Sequence, residues 1–276
     1  MAACAALAGV PGALHAQAAA PGQSPDPAAG PTARQVWQLN DLRAAYCVDF
    51  LVPPRLADKA LPRGLVPLRA DRVPALNPVL KDVIAQTDSF AAWSPSEVCA
   101  YFSGATTIGT RRVADRNRPQ VFAVWSIWAA PAEEGKGAPV RAAVTLRAAD
   151  WHATELAKQV FLDFDGVDAS VGKVPESTLD DRYTLAFGKT TVTWDGHLTG
   201  DTLQAGQGLD RAWWTEGNRN TTWTVRASFQ PTGARLMVGS LRVSGKDNLA
   251  KALKASPVRW VGPMYWGGDG RIDFLR

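Results

Sequence analysis

The chain has little of what metal or nucleotide chemistry needs. Histidine and cysteine each occur three times in 276 residues, and with no CxxC or HExxH run there is no zinc spacing to read. A GxSxG elbow is missing too, which leaves a serine-hydrolase triad to recruit His152 or His197 without local support. Ser170 and Lys173 form an SxxK, but the companion motifs of penicillin-binding enzymes are absent. The GGDG run at 267–270 lacks the strand-turn-helix setting in which glycines cradle phosphate. Beyond residue 18 no apolar run approaches the roughly 18 to 20 residues that cross a bilayer. Neither sign of charge dominates: 30 basic and 26 acidic residues are interspersed for a net charge of +4. A phosphate-tracking basic stripe is therefore absent, and the densest cluster, RRVADRNR at 111–118, reads as a solvated turn. No internal repeat is present.

What is there begins with an alanine-rich leader. Residues 1–18 hold no Asp, Glu, Lys or Arg and end Ala16-Gln17-Ala18, the apolar and small-x-small parts of a secretory signal peptide, although the basic start is missing. Residues 19–35 are rich in Pro, Gly and Ala and read as a disordered linker. Residues 36–276 are then one domain, large enough to bury about 70 to 75% of its unfolded surface. Export predicts a periplasmic or secreted protein. Loss of Cys4 with the leader leaves Cys47 and Cys99, an even pair in a disulfide-permissive compartment; two buried free thiols are the alternative.

The dominant pattern is period two. AAYCVDFLV (44–52) puts Tyr46, Val48, Phe50 and Val52 on one face and Cys47, Asp49 and Leu51 on the other. Pro53-Pro54 ends that strand, Pro54 suits a first helical position, and RLADKAL supplies about two turns before Pro62-Arg63-Gly64. SEVCAYF (96–102) alternates again, with Glu97, Cys99 and Tyr101 on one face. A Cys47–Cys99 bridge would place Asp49 and Glu97 on the same side of the sheet. VFAVWSIW (121–128) is apolar on both faces and predicts a central strand. RAAVTLR, RYTLAF, TTVTW, NTTWTVRASF and ARLMVGSLRV continue the series, with Asp195-Gly196 and Pro231-Thr232-Gly233 as hairpin turns. Helices are predicted at 150–162 and, with an Asp N-cap, at 247–254. Two closing strands follow, separated by a Gly-rich turn. The fold class is mostly β, an antiparallel barrel or sandwich with two or three short helices. Eleven tryptophans read chiefly as packing, with a glycan-binding aromatic surface on a β-sandwich as the rival.

RAAYCVDFLVPPRLADKALPRGLVPL resembles the opening of the acetoacetate decarboxylase superfamily: an arginine before a strand, a short helix and a Leu-Pro-x-x-Leu-like exit. KDVIAQTDSFAAWSPSEVCAYF is similar in the spacing of two acidic residues, and NLAKALKASPVRWVGPMYWGGDGRIDF in the closing helix, Pro-Val-Arg step and strands. The resemblance covers roughly residues 36–105 and 185–276. It implies a cone-like antiparallel β-barrel with a central pocket, Arg43 as the substrate-side arginine, and Asp82 and Glu97 as site carboxylates. It also implies a Schiff-base lysine, in the family a Lys-Lys pair after a proline. This sequence contains no Lys-Lys and no Pro-Lys. LRAADWHATELAKQ stands there instead, with Lys158 as its single lysine and Glu155 beside it as a surface ion-pair partner.

The expectation is therefore an acetoacetate-decarboxylase-like protein binding a small oxo or carboxylic acid. Lyase activity is expected at family level only, with no cofactor. Arg43 binds the substrate carboxylate, and Glu97, Asp82 and Lys158 are the catalytic candidates. The alternative is that Arg43 bridges Asp82 or Glu97 structurally. No nucleic-acid partner and no integral membrane segment are expected, and a homo-oligomer is left open. A non-catalytic ligand-binding envelope protein is the other rival.

Overall fold

A computed structural model describes residues 35–74, 76–114, 120–133, 138–148, 165–166, 180–187, 189–203, 209–215, 221–228, 234–261 and 264–275. The leader, the linker to residue 34, the helix expected at 150–162 with Lys158, and the Pro231-Thr232-Gly233 turn lie outside these residues.

The first strand, β1 (Gln35–Val52), carries the period-two pattern read from its sequence. Tyr46, Val48, Phe50 and Val52 enter one apolar cluster with Val98, Ala100, Phe102, Trp125 and Ile127. Ala45 and Cys47 on the opposite face pack with Cys99, Tyr101, Phe122 and Phe274. Pro53 and Pro54 end the ladder, and α1 (Pro54–Ala60) starts with proline in its first turn, where a missing N–H costs nothing. After β2 (Leu65–Pro67) comes α2 (Pro78–Gln86), whose N-cap Asn77 accepts a hydrogen bond from the Val79 N–H at 2.8 Å. A 3-10 turn at Asp88–Ala92 leads into β3 (Ser94–Ile108), nearly all of it buried.

Next come β4 (Arg111–Ala114), β5 (Gln120–Pro131) and β6 (Val140–Ala148). Strand β5 is flanked by β3 and β6 and buried along most of its length, the central position its two-faced apolarity predicts. The remaining strands are β7 (Asp165–Gly166), β8 (Asp180–Phe187), β9 (Thr190–Leu203), β10 (Leu209–Thr215), β11 (Thr221–Ser228), β12 (Ala234–Ser244), β13 (Arg259–Val261) and β14 (Met264–Leu275). Helix α3 (Asn248–Ala255) intervenes before β13; its N-cap Asp247 accepts from the Ala250 N–H at 3.0 Å, and it buries Leu249, Ala252 and Leu253.

The sheet runs β13-β1-β3-β5-β6-β10-β11-β14-β12-β9-β8, and β1 pairs β14 as well as β13. Among the described residues all pairings are antiparallel except β6–β10 and β6–β7. The class is thus mostly β with a mainly antiparallel sheet, as expected.

Three local expectations are corrected. Asp195-Gly196 is not a turn: β9 runs through it, with Asp195 paired to Arg182 on one side and Ser240 on the other. Pairing on both edges outweighs the turn preference of a two-residue sequence. The glycines at 267–270 also lie inside a strand, β14, where the ladder to β1 shifts register between Leu42–Gly270 and Ala44–Trp266. Glycine within a strand marks such bulges as readily as turns. Arg111 and Arg112 are solvated, as expected, but on β4 rather than in a turn.

Candidate functional site

One face of the β1–β3–β5–β6 sheet carries a buried acid and a buried base, Glu97 and Arg141, within a largely apolar core. Register places Cys47 opposite Cys99 and, two residues along, Asp49 opposite Glu97. The alternation that buries Val48 and Val98 on one face thus obliges the two acids and two cysteines to share the other. Glu97 is in turn level with Ser126 on β5. The β5–β6 ladder sets Trp128 opposite Arg141. Arg141 reaches past β5 and its Nη1 forms an ion pair with Glu97 Oε2, both side chains being buried. Its guanidinium carbon lies 5.3 Å from the centre of the Trp128 ring, a cation–π arrangement.

This row sits between two apolar clusters. Leu51, two residues beyond Asp49, belongs to the cluster of Leu80, Leu76 and Val73, against which Trp128 packs. Cys99, two residues beyond Glu97, belongs to the cluster of Tyr101, Phe122 and Trp37. Asn77 closes one end: its Oδ1 caps α2 and its Nδ2 donates to Asp49 Oδ2 at 3.1 Å. One side chain thereby pins the start of α2 to the acidic row.

Cys47 and Cys99 form a disulfide across 52 residues, with Cα atoms 4.1 Å apart. The bridge joins directly opposed residues, so it reinforces the register that also sets Asp49 against Glu97. Cys99 Sγ stands 3.0 Å from Glu97 Oε1. Cys47, Glu97 and Cys99 form one group whose potential donor atoms all lie within 4.8 Å of one another.

The expected site residues divide. Glu97 is at the centre of the row. Asp82 stands exposed on α2, and the acid opposite Glu97 is Asp49. The backbone at Arg43 lies in β1 at a bulge, where the ladder to β3 shifts register between Leu42 and Ala44; its side chain is outside the described residues. Lys158 is likewise outside them. The described lysines, Lys59, Lys81, Lys189, Lys246, Lys251 and Lys254, are all exposed. None sits in the apolar pocket that a Schiff-base lysine needs.

Arg141 was not legible as a site residue. The available signal was a single cation inside VRAAVTL, on the face shared by Ala143 and Thr145 while Val140, Ala142 and Val144 take the other. A lone charge at a core position of a strand asks for a partner, and sequence alone does not show that the partner is Glu97. Among the described residues no helix is long and apolar enough to cross a membrane.

No protein-family profile matches the chain, and no curated protein matches it. Solved structures do. An acetoacetate decarboxylase from Legionella pneumophila superposes with a TM-score of 0.52 at 11% identity, over 92% of this chain and 90% of that one. Another structure of acetoacetate decarboxylase gives 0.47 at 11% identity, over 88% and 87%. The enduracididine biosynthesis enzyme MppR, complexed with pyruvate, gives 0.45 at 10% identity, over 90% of each chain. At such identity a superposition speaks to architecture, and the Legionella overlay spans nearly all of both chains. The fold of this chain is that of the acetoacetate-decarboxylase-like proteins.

Proposed function

We propose that this protein binds a small oxo or carboxylic acid at the Glu97–Arg141 row. The observation that carries the reading is Arg141, a buried guanidinium on the same sheet face as Asp49 and Glu97. A guanidinium presents its donors in a rigid planar fork that matches a carboxylate. A ligand carboxylate would share Arg141 with Glu97, while Asp49 and Glu97 offer two acidic groups for proton transfer to or from the bound acid. Arg43, at the bulge of β1, enters the same reading as a second cation for the ligand carboxylate. Asp82, being exposed, has less claim than Asp49 to the role of second acid.

The reading extends to architecture and destination. The β1–β14 pairing, at opposite ends of the run β1-β3-β5-β6-β10-β11-β14, supports a cone-like barrel around the row. The leader and the Cys47–Cys99 bridge support export to an oxidising compartment.

Covalent lyase chemistry has weaker support than binding. With the described lysines all exposed, an imine nucleophile would have to come from Lys136, Lys158 or Lys173. Borohydride trapping with acetoacetate or pyruvate, read by intact mass and peptide mapping, tests this directly. An adduct on one of these three lysines establishes the Schiff-base enzyme. No adduct, together with acid-dependent thermal stabilisation, establishes a non-covalent acid binder. Stabilisation by soluble glycans instead of organic acids would overturn the reading in favour of an aromatic glycan surface.

A further inference from the structure

The three donors Cys47, Cys99 and Glu97 are used in the reading above only through the carboxylate. We propose that reduction of the Cys47–Cys99 bridge turns this group into a site for a thiophilic divalent cation, with both thiolates and Glu97 Oε1 as ligands. The inference shares Glu97 with the acid-binding reading but needs no bound acid.

The geometry follows from the sheet. Two directly opposed residues and a third two places along one strand put three donor atoms on one face, within 4.8 Å of each other in the bridged state, and the sheet register holds them together when the bridge opens. Two thiolates and a carboxylate oxygen are a donor set that zinc accepts, leaving a fourth position open. Cys99 Sγ and Glu97 Oε1 are 3.0 Å apart, yet a bridged sulfur has no hydrogen to donate. In the bridged state that contact joins two electron-rich atoms; a proton or a cation makes it favourable. Glu97 divides its oxygens, Oε2 toward Arg141 and Oε1 toward the sulfur. Arg141 would thus stay in place as an outer partner that orients the ligand.

The switch needs a dithiol reductant. Cys47 is half-buried and Cys99 fully buried, so a thiolate of the reductant attacks Sγ of Cys47 and Cys99 leaves as thiolate. The second thiol of the reductant then displaces Cys47, and the reductant departs as its own disulfide. Two electrons enter the protein, and each sulfur takes up a proton. Cation binding releases both protons to solvent.

The test uses cobalt(II) chloride as the probe on the full-length protein, either oxidised or reduced with dithiothreitol and desalted without oxygen. The reduced protein is expected to bind one equivalent with a sulfur-to-cobalt charge-transfer band, and the oxidised protein to show none. Glu97→Gln should weaken that binding about tenfold or more. Cys47→Ser with Cys99→Ser should remove the band. Circular dichroism confirms that the reduced chain is folded, and zinc should raise its melting temperature without raising that of the oxidised chain. Absence of the band in folded, reduced protein overturns the proposal. So does cobalt binding that is indifferent to Glu97→Gln, since an unfolded dithiol would behave that way.

Discussion

Asp49 and Glu97 stand directly opposite one another on neighbouring antiparallel strands, two acids side by side on one face of a largely apolar sheet. Like charges so placed destabilise a sheet. Here Arg141 neutralises one of them from two strands away, and Asn77 donates to the other.

The Glu97–Arg141 pair should behave as a unit. Removing one partner, as Glu97→Gln or Arg141→Met, is expected to cost about 3 to 5 kcal/mol because a buried group loses its counter-charge. The double variant should lose much less than the sum of the singles. Urea denaturation of all four proteins checks this, and simple additivity would contradict the pairing.

Asn77 should matter for two reasons that one series separates. Asn77→Ala removes both the α2 cap and the bond to Asp49, and should cost about 1 to 2 kcal/mol. Asn77→Asp keeps a capping oxygen but sets a third carboxylate by Asp49. Thermal melts should show Asn77→Ser, which caps without reaching Asp49, closer to wild type than either.

The Cys47–Cys99 bridge should add about 4 kcal/mol through loop closure in the unfolded chain. Denaturation with and without reductant measures it, and an unreduced digest should contain the cross-linked peptide. Free thiols at both positions would contradict the structure.

Gly245 and Gly109 make a contrasting pair. Both have positive φ, +118° and +59°, but a Cβ on Gly245 would meet the Lys189 carbonyl oxygen at 2.3 Å, whereas one on Gly109 meets nothing within 4 Å. Gly245→Ala is therefore expected to cost well over the roughly 1 kcal/mol of a conformational penalty alone, and Gly109→Ala about that amount. Melting temperatures of the two variants decide it.

The sheet around the site was legible in the sequence because burial on one face repeats every second residue. Tyr46, Val48, Phe50 and Val52 announce β1, and the same alternation sets Cys47 and Asp49 together and Glu97 and Cys99 together. Pro53-Pro54 and Asp247 mark helix starts by chemistry that acts within a few residues. Arg141 was invisible for the opposite reason: its partner lies 44 positions earlier in sequence and across β5, and no local rule encodes that distance. Asp49 stands opposite Glu97 because direct register sets the neighbour, as the alternation around Cys47 and Cys99 implies, while Asp82 is exposed on α2. Asp195-Gly196 and the 267–270 glycines mislead in the same way, since their local preference for turning yields to pairing with neighbouring strands.

Whether Arg141 holds a ligand carboxylate is decided by calorimetric titration of acetoacetate into the oxidised protein and its Arg141→Lys variant. Lysine keeps the charge for Glu97 but loses the bidentate fork. Saturable binding by the wild type is expected, weakened about tenfold or more in a variant whose melting temperature is largely retained. No heat of binding with acetoacetate, or equal affinity in the two proteins, would contradict it and leave Glu97–Arg141 as a structural bridge.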